Sequence, residues 1–563
     1  MGKVWARIFQ GDNFAGMPQK AWAVLMLIAL AVTVPGVASI PTMDRDEARY
    51  SQAARQMIET GDYVDIKFQE QDRHVKPIGI YWMQVAAVTP FGGADAPQWA
   101  HRLPSVIGAL AAVAATAWLA ARIAGPQAGF SAALLLALTL GLAVEARTMK
   151  TDAVLLASGA FAQAALFVIL RRGTDATKFW GAPAVFWAAS GFALMVKGPI
   201  IAMVSATTAL GYGLWARDWS WVKRLKILPG IGVLIAIAAP WLIAITVKTG
   251  GGFLEESIGH ALMGKVAQGD DSHGAPPGYH TVLFLATFWP GAALAALMAA
   301  YAWVKRADAD VKFLIAWVVP TWIIFEAVAT KLPHYILPTF PAFALLAAFA
   351  IRDGAHMLQN TRVRRAHWIM MALAGVVSLA IAFLPLIAER ELGQPHSAAS
   401  FAAALVGVAL TAAMLFLAAK PSAPRLLPLA AATFAFYIAA FQIAIPGIDR
   451  LWVTDRMAQE VAALNGCEEI SVATAGTREP SNVFLFGTKT VLGDGAIAAE
   501  HLLANPDCGL ALVDGRDKDA FLATLEAADA EHRSLGNVQG TNYVKGRDLD
   551  MELLVLDGAR LTR

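Results

Sequence analysis

The sequence predicts a polytopic α-helical membrane protein of about thirteen spans, followed by a small α/β domain outside the membrane. Three observations lead there. Hydrophobic residues make up 57% of the 563 positions and charged ones only 16%. The mean hydropathy of +0.52 excludes an ordinary soluble protein. Apolar stretches of membrane-crossing or near-crossing length recur up to residue 446, where the composition changes. The net charge of +2 gives no ground for a nucleic-acid partner, and none is expected.

The expected spans are 20–40, 103–122, 126–145, 152–170, 179–196, 198–215, 227–247, 281–303, 311–329, 333–351, 367–388, 399–419 and 426–446. The first is too long, and lacks the small-residue cleavage pattern, to be a removed signal peptide. The apolar run 179–215 is broken at Lys197-Gly198-Pro199, read as a tight turn. Placing the N-terminus inside puts Lys3, Arg7, Lys20, Arg122, Arg171, Arg172, Lys178 and most later loop arginines and lysines on the inner side. That is the positive-inside bias. An odd number of spans then sets 41–102, 248–280 and 447–563 on the outer side. The domain division is a membrane domain, 1–446, with outer loops 41–102 and 248–280, and an outer α/β domain, 447–563. Cys467 and Cys508 both fall in the latter, where an oxidising compartment permits a disulfide without requiring one.

The first outer loop carries the densest charge of the membrane domain. From Asp46 to Thr60 the apolar residues Tyr50, Ala53, Ala54, Met57 and Ile58 recur at helical spacing,. Gly61 is placed to end this helix, and Asp44 or Asp46 to cap its start. Asp46 and Arg49 fall on the face that packs, while Gln52, Arg55 and Glu59 fall on the other. A second helix is expected over Lys76–Val88, with Pro77 in its first turn and Tyr81-Trp82 at headgroup level. Asp62–Phe68 between them reads as extended. In the outer domain Ile470–Thr474, Val483–Phe486, Leu510–Asp514 and Met551–Leu556 read as strands, and Asp517–Ala528 as a helix. It carries no glycine-rich phosphate loop and no metal-spaced cysteine pair.

Short charged knots fall on the same outer side: Glu145–Asp152, Lys197-Gly-Pro199 and Thr330–Pro338. Together with the first loop they offer the acids Asp44, Asp46, Glu47 and Asp152. Their bases are Arg49, Lys76, Arg147, Lys150, Lys197 and Lys331, with His334 and Tyr335 beside them. Several cations near one leaflet suit a phosphorylated lipid, and a carboxylate among them suits activation of a hydroxyl. Each has a bland counterpart. Lysines at span ends snorkel, Asp152 suits an N-cap, and His260, His273 and His280 are too widely spaced to make a metal motif.

Asp46-Glu-Ala-Arg49-Tyr50, Gly61-Asp-Tyr63, Val75-Lys76-Pro77, Tyr81-Trp82, Lys150-Thr-Asp152, Val196-Lys197-Gly198 and Lys331-Leu-Pro-His-Tyr335-Ile-Leu-Pro338 stand in this order. The set resembles the bacterial 4-amino-4-deoxy-L-arabinose lipid A transferases. More broadly it resembles the dolichyl-phosphate-mannose protein mannosyltransferase-like group of the GT-C superfamily. The resemblance covers roughly residues 20–350. It implies a GT-C fold at the inner membrane and a periplasmic-facing active site. The implied reaction is a glycosyl transfer from a polyprenyl-phosphate donor to lipid A or another envelope glycan, with no nucleotide sugar.

By the same resemblance Asp46, Arg49, Lys76, Asp152, Lys197 and Tyr335 line the donor cavity. The expected catalytic residues are Asp46 and Asp152. The expected substrate-binding residues are Arg49, Lys76, Lys197, Lys331, Tyr335, Tyr50 and Glu47. Where the arabinose transferases carry a zinc-binding glutamate before Lys-Pro, this chain has Val75. A zinc site of that kind is therefore not implied, even with His260 and His273 in the later loop, and no cofactor is assigned. Protein O-glycosylation with the same donor class is the alternative within the family. A lipid or sugar transporter is the rival outside it, although the charges gather at one face instead of the midplane. A scaffold without activity would account for the outer domain but not for the ordered motifs.

Overall fold

The structure is a computed structural model, and it describes residues 1–171, 180–257 and 274–563. Arg172, Lys178, His260 and His273 lie outside the described residues, as does the middle of the expected outer loop 248–280.

Among the described residues, seven helices are long and apolar enough to cross a membrane, or up to nine if two bent pairs each count as one span. The seven are Gln98–Ala124, Asp152–Arg171, Trp221–Lys248, Pro333–Met357, Thr361–Glu391, Ala398–Ala419 and Ala423–Ala444. The bent pairs are Pro126–Leu138 with Leu140–Ala146, at 64°, and Tyr279–Thr287 with Gly291–Val304, at 114°. The difference from thirteen has a physical origin. Gln19–Thr33, Gly181–Lys197 and Ile200–Ala216 have 15, 17 and 17 residues. At 1.5 Å per residue these fall short of a hydrocarbon layer of about 30 Å. Ala309–Ala327 carries Asp310, Lys312 and Glu326 within its 19 residues. The turn at 197–199 is present, with Gly198 at φ 77° between its two helices.

The first outer loop folds as a helix, a small hairpin and a second helix. The helix runs Asp46–Thr60 and ends on Gly61 in the left-handed conformation, where a side chain would be strained. Neither Asp44 nor Asp46 caps it, since its N-cap is Arg45, which has no side-chain cap bond. Instead Glu47 reaches back to accept from the Met43 N–H at 2.8 Å. Lys67–Phe68 pairs antiparallel with Gln71–Asp72. The second helix is Gly79–Val88, so Pro77 precedes it by two residues. A side chain at Gly79 would come within 2.6 Å of the Met195 carbonyl oxygen. Only glycine lets this helix press on the end of Gly181–Lys197, which brings Lys76 toward Lys197.

Residues 471–556 contain a five-stranded mixed sheet. Its strands lie in the order Val491–Gly493, Ser471–Ala475, Gly509–Asp514, Arg547–Leu556 and His532–Asn542. The first three run parallel and the last two antiparallel. The expected strand at Val483–Phe486 is instead part of the helix Pro480–Phe486. A four-residue apolar run fits a strand or a helix equally well, and Pro480 at the first turn favours the helix. Cys467 and Cys508 are disulfide-bonded.

This C-terminal region grips the first-loop helix. Phe484 packs with Ala48 and Met149, and Arg55 donates to the Phe484 carbonyl at 3.1 Å. Gln52 donates to the Thr488 hydroxyl, which donates in turn to Glu59, each at 2.6 Å. The helix face expected to meet water therefore meets protein, and Gln52 is fully buried.

Candidate functional site

Asp46 opens the helix 46–60, and its carboxylate is 59% exposed, so a ligand can reach it. Arg73, at the end of the hairpin, is its ion-pair partner at 3.7 Å. The surrounding protein is dense enough for burial to oppose the charge on Asp46. The cations Arg73, Lys150, Lys76 and Lys197 outweigh that and hold its carboxyl below the ordinary range. Lys150 pairs with Glu145 at 3.1 Å and Lys197 with Asp152 at 2.6 Å. Burial alone would disfavour the Lys150 ammonium, but Glu145 and Asp152 raise its pKa above the usual lysine value. His334 stands between the two buried acids, 3.6 Å from Glu145 and 3.7 Å from Asp152. The Lys197 ammonium lies 5.8 Å from the Tyr335 ring centre, and Arg73 lies 5.2 Å from that of Tyr50. Arg49 lies within the fields of Asp46 and Arg73.

The fold thus brings Asp46, Arg49, Tyr50, Lys76, Asp152, Lys197 and Tyr335 into one neighbourhood. Two expected residues face elsewhere. Glu47 is 1% exposed and accepts from Arg102 Nε at 3.0 Å and from the Met149 N–H at 2.9 Å. The Lys331 ammonium donates to the carbonyls of Val328 and Ala275, at 2.7 and 2.8 Å. It fastens the segment after the second outer loop, and the Gly274–Thr330 bridge lies alongside. Arg147 is likewise spent on backbone, donating to the carbonyls of Pro35, Ala143 and Val32. Sequence reasoning missed Arg73. The signal was its position three residues before Lys76, inside a hairpin that the turn residues alone did not announce.

Among the described residues, two groups of side chains have donors close enough for a metal ion. In Glu145–Asp152–His334 the carboxylates already hold Lys150 and Lys197, and a resident cation would have to displace them. Asp65, Asp72 and His74 are held more loosely, with the Lys67 ammonium 3.9 Å from each carboxylate, and carboxylate and imidazole suit a zinc-class ion. His74 Nε2 lies 2.9 Å from Asp65 and its Nδ1 lies 3.6 Å from Glu256 of the second outer loop. An ion there would be held within the first outer loop. Val75, beside it, has no donor to offer.

Among the described residues, five cations (Arg49, Arg73, Lys76, Lys150 and Lys197) stand with three carboxylates (Asp46, Glu145 and Asp152) in this neighbourhood. A surplus of positive charge, partly withdrawn from water, calls for an anion. Asp46 keeps an exposed carboxylate, whereas Asp152 is committed to Lys197.

Residues 75–243 match the family model described as dolichyl-phosphate-mannose-protein mannosyltransferase. A curated undecaprenyl phosphate-α-4-amino-4-deoxy-L-arabinose arabinosyl transferase from Pseudomonas aeruginosa is 26% identical over 347 residues, 61% of each chain. One from Pectobacterium carotovorum is 25% identical over 397 residues, 67% of each chain. The match thus spans about three fifths of the length of the Pseudomonas relative. Crystal structures of ArnT from Cupriavidus metallidurans superpose with TM-scores of 0.72 for the apo state and 0.73 for the form bound to undecaprenyl phosphate. They cover 94% and 95% of this chain, and 97% and 98% of theirs, at 18% and 19% identity. At that identity the likeness is one of fold, a helical GT-C-type membrane architecture followed by a sheet region. The chain is thus similar to the dolichyl-phosphate-mannose-protein mannosyltransferases over residues 75–243 and to the arabinosyl transferases over about three fifths of its length.

Proposed function

We propose that the protein is an integral membrane glycosyltransferase that moves a sugar from a polyprenyl-phosphate donor to lipid A or another envelope glycan. The observation that carries this is the surplus of cations around Asp46. The donor is a phosphodiester with one negative charge, and the departing polyprenyl phosphate is a monoester that gains another. Arg49, Lys76 and Lys197 offset the charge that develops on it, the kind of preorganised stabilisation that dominates most catalysis. Tyr335 and Tyr50 stand against two of these cations, Lys197 and Arg73.

The acceptor oxygen attacks the anomeric carbon and the carbon–oxygen bond to phosphate breaks with inversion, releasing polyprenyl phosphate. With a hydroxyl acceptor the proton passes to the Asp46 carboxylate. With a phosphate acceptor there is no proton to remove, and Asp46 orients Arg73 instead. Asp152 holds Lys197 in place. A zinc-class ion, if bound, would be held by Asp65, Asp72 and His74 and would brace the hairpin at 67–72, with no part in the transfer.

The topology that goes with this reading has thirteen spans, the short apolar helices included. The N-terminus is cytoplasmic, the site and residues 447–563 are periplasmic, and the membrane is a bacterial inner membrane. The Cys467–Cys508 bond suits such a compartment. A tag after Arg563 should be reached from the periplasm and one before Met1 should not. A cytoplasmic C-terminus would overturn the arrangement.

Mass spectrometry of lipid A, envelope glycans and envelope proteins, with and without this chain, tests the function. A sugar missing from one of these names the acceptor, and loss from a protein would select the O-glycosylation variant. Unchanged sugars on all three would remove the proposal.

A further inference from the structure

We propose that Arg73 and the Tyr81 hydroxyl form a subsite for a phosphoryl oxygen of the substrate, a reading that rests on the function proposed above. Arg73 is placed firmly. Its backbone N–H donates to the Ile66 carbonyl at 2.7 Å, and its side chain is only 10% exposed. Tyr50 lies flat enough beneath the guanidinium to fix its height, 5.2 Å from the ring centre. Tyr50 in turn packs against Tyr81, with ring centres 5.4 Å apart.

What this buried cation lacks is a full set of acceptors. Its Nε has no hydrogen-bond partner, and the fully buried Tyr81 hydroxyl has the guanidinium as its neighbour, which leaves the phenol's own O–H to donate. Its carboxylate contact, to Asp46, is 3.7 Å long, beyond hydrogen-bond range. Buried polar groups are nearly always matched, and unmatched charged donors are the costliest exceptions. The contrast with Arg102 is direct. Arg102 spends its guanidinium on Glu47 and on the carbonyls of Val37, Ile40 and Pro41.

The chemistry of the missing ligand follows from the donors. A guanidinium only donates, in a planar fork that matches two oxygens of one anion. A phenol beside it donates a third bond. With Arg49 and Lys76 nearby, the group that satisfies all of these is a phosphate. Its arrival competes with Asp46 for Arg73 and leaves the Asp46 carboxylate toward the acceptor. The phosphoryl oxygen comes either from the lipid donor or from a phosphate-bearing acceptor, and the two sources separate by experiment.

The test compares binding of undecaprenyl phosphate and of uncharged undecaprenol to the purified full chain in lipid nanodiscs. Arg73→Met should weaken the phosphate by about 10-fold or more and the alcohol by less than about 2-fold, with Arg73→Lys in between because the fork is lost. Tyr81→Phe should cost about 3-fold on the phosphate alone. If undecaprenyl phosphate binding is kept while KM for a phosphate-bearing acceptor rises by a similar factor, the subsite belongs to the acceptor. Unchanged binding and unchanged KM overturn the proposal. Equal loss for phosphate and alcohol also overturns it, since that is the signature of a packing residue. Should the unaltered chain ignore undecaprenyl phosphate, the donor assignment fails by itself. Dodecyl phosphate against dodecanol then reads the subsite, and indifference of Arg73→Met to the pair rejects it.

Discussion

Asp46 and Glu47 are neighbours in sequence, and each meets an arginine, yet the two pairs are built for opposite purposes. Glu47 and Arg102 are buried to within a percent of completely, and the Arg102 guanidinium is met by the carboxylate and three carbonyls. That pair is closed. Asp46 and Arg73 touch loosely at 3.7 Å, one side open and the other with unmatched donors. The closed pair fastens the first outer loop to the helix Gln98–Ala124, while the open pair leaves room for a ligand. Charge density alone therefore does not separate structural from functional ions. The test is whether each donor and acceptor is already satisfied.

The largest effect should come from breaking the closed pair. Arg102→Met leaves the Glu47 charge buried without its partner, which costs about 3–5 kcal/mol. It should appear as a loss of folded protein in the membrane and a lower unfolding midpoint. A stable, inactive Arg102→Met protein would reverse the comparison. Next comes Lys76→Ala, which should lower turnover by about 10²–10³-fold, the scale of removing one group that stabilises developing negative charge. Insertion and unfolding should be unchanged. Full activity in a folded Lys76→Ala protein would remove its phosphate-holding role.

Asp46→Asn follows. The amide keeps the size of the side chain but takes no proton. With a hydroxyl acceptor turnover should fall about 10²-fold, and with a phosphate acceptor by less, with little recovery at higher pH. Normal turnover on a hydroxyl would transfer the base to Asp152. Loss of donor binding alone would make Asp46 a partner of the cations.

The smallest effect concerns Asp44, where the C-terminal region docks. Asp44 accepts from the Ser481 N–H at 3.3 Å, and its own N–H donates to the Tyr543 hydroxyl at 2.7 Å. Burial pushes its carboxyl from 3.8 up to about 6; Ser481 opposes the shift and Glu479 adds to it. The folded form thus holds this proton more tightly than the unfolded chain does. The stabilisation is full below about pH 4 and is lost as pH rises through about 6. Asp44→Asn should flatten that dependence and stabilise the docking at pH 8 by about 1–2 kcal/mol, allowing for solvent screening. Limited proteolysis of residues 447–563 at pH 5 and pH 8 reads it. An unaltered pH profile in the variant would locate the sensitivity elsewhere.

Much of this was written locally. The length of apolar runs marked the seven to nine helices long enough to span, because a bilayer sets a minimum span. Periodicity and Gly61 set out the helix 46–60 residue for residue, because amphipathic spacing and a left-handed C-cap are local signals. The order of motifs from Asp46 to Tyr335 indicated which charges to bring together. The rest needed the third dimension. Phe484 sits on a helix and not a strand, and it packs behind Ala48 because the C-terminal region covers a helix face that looked solvated. Lys331 and Glu47 had the right charge and the right neighbours in sequence, but their atoms were claimed by carbonyls and by Arg102. Arg73 stood in no motif at all. A sequence states which donors and acceptors exist, whereas only the packed chain decides which of them are spent on one another and which remain for a substrate.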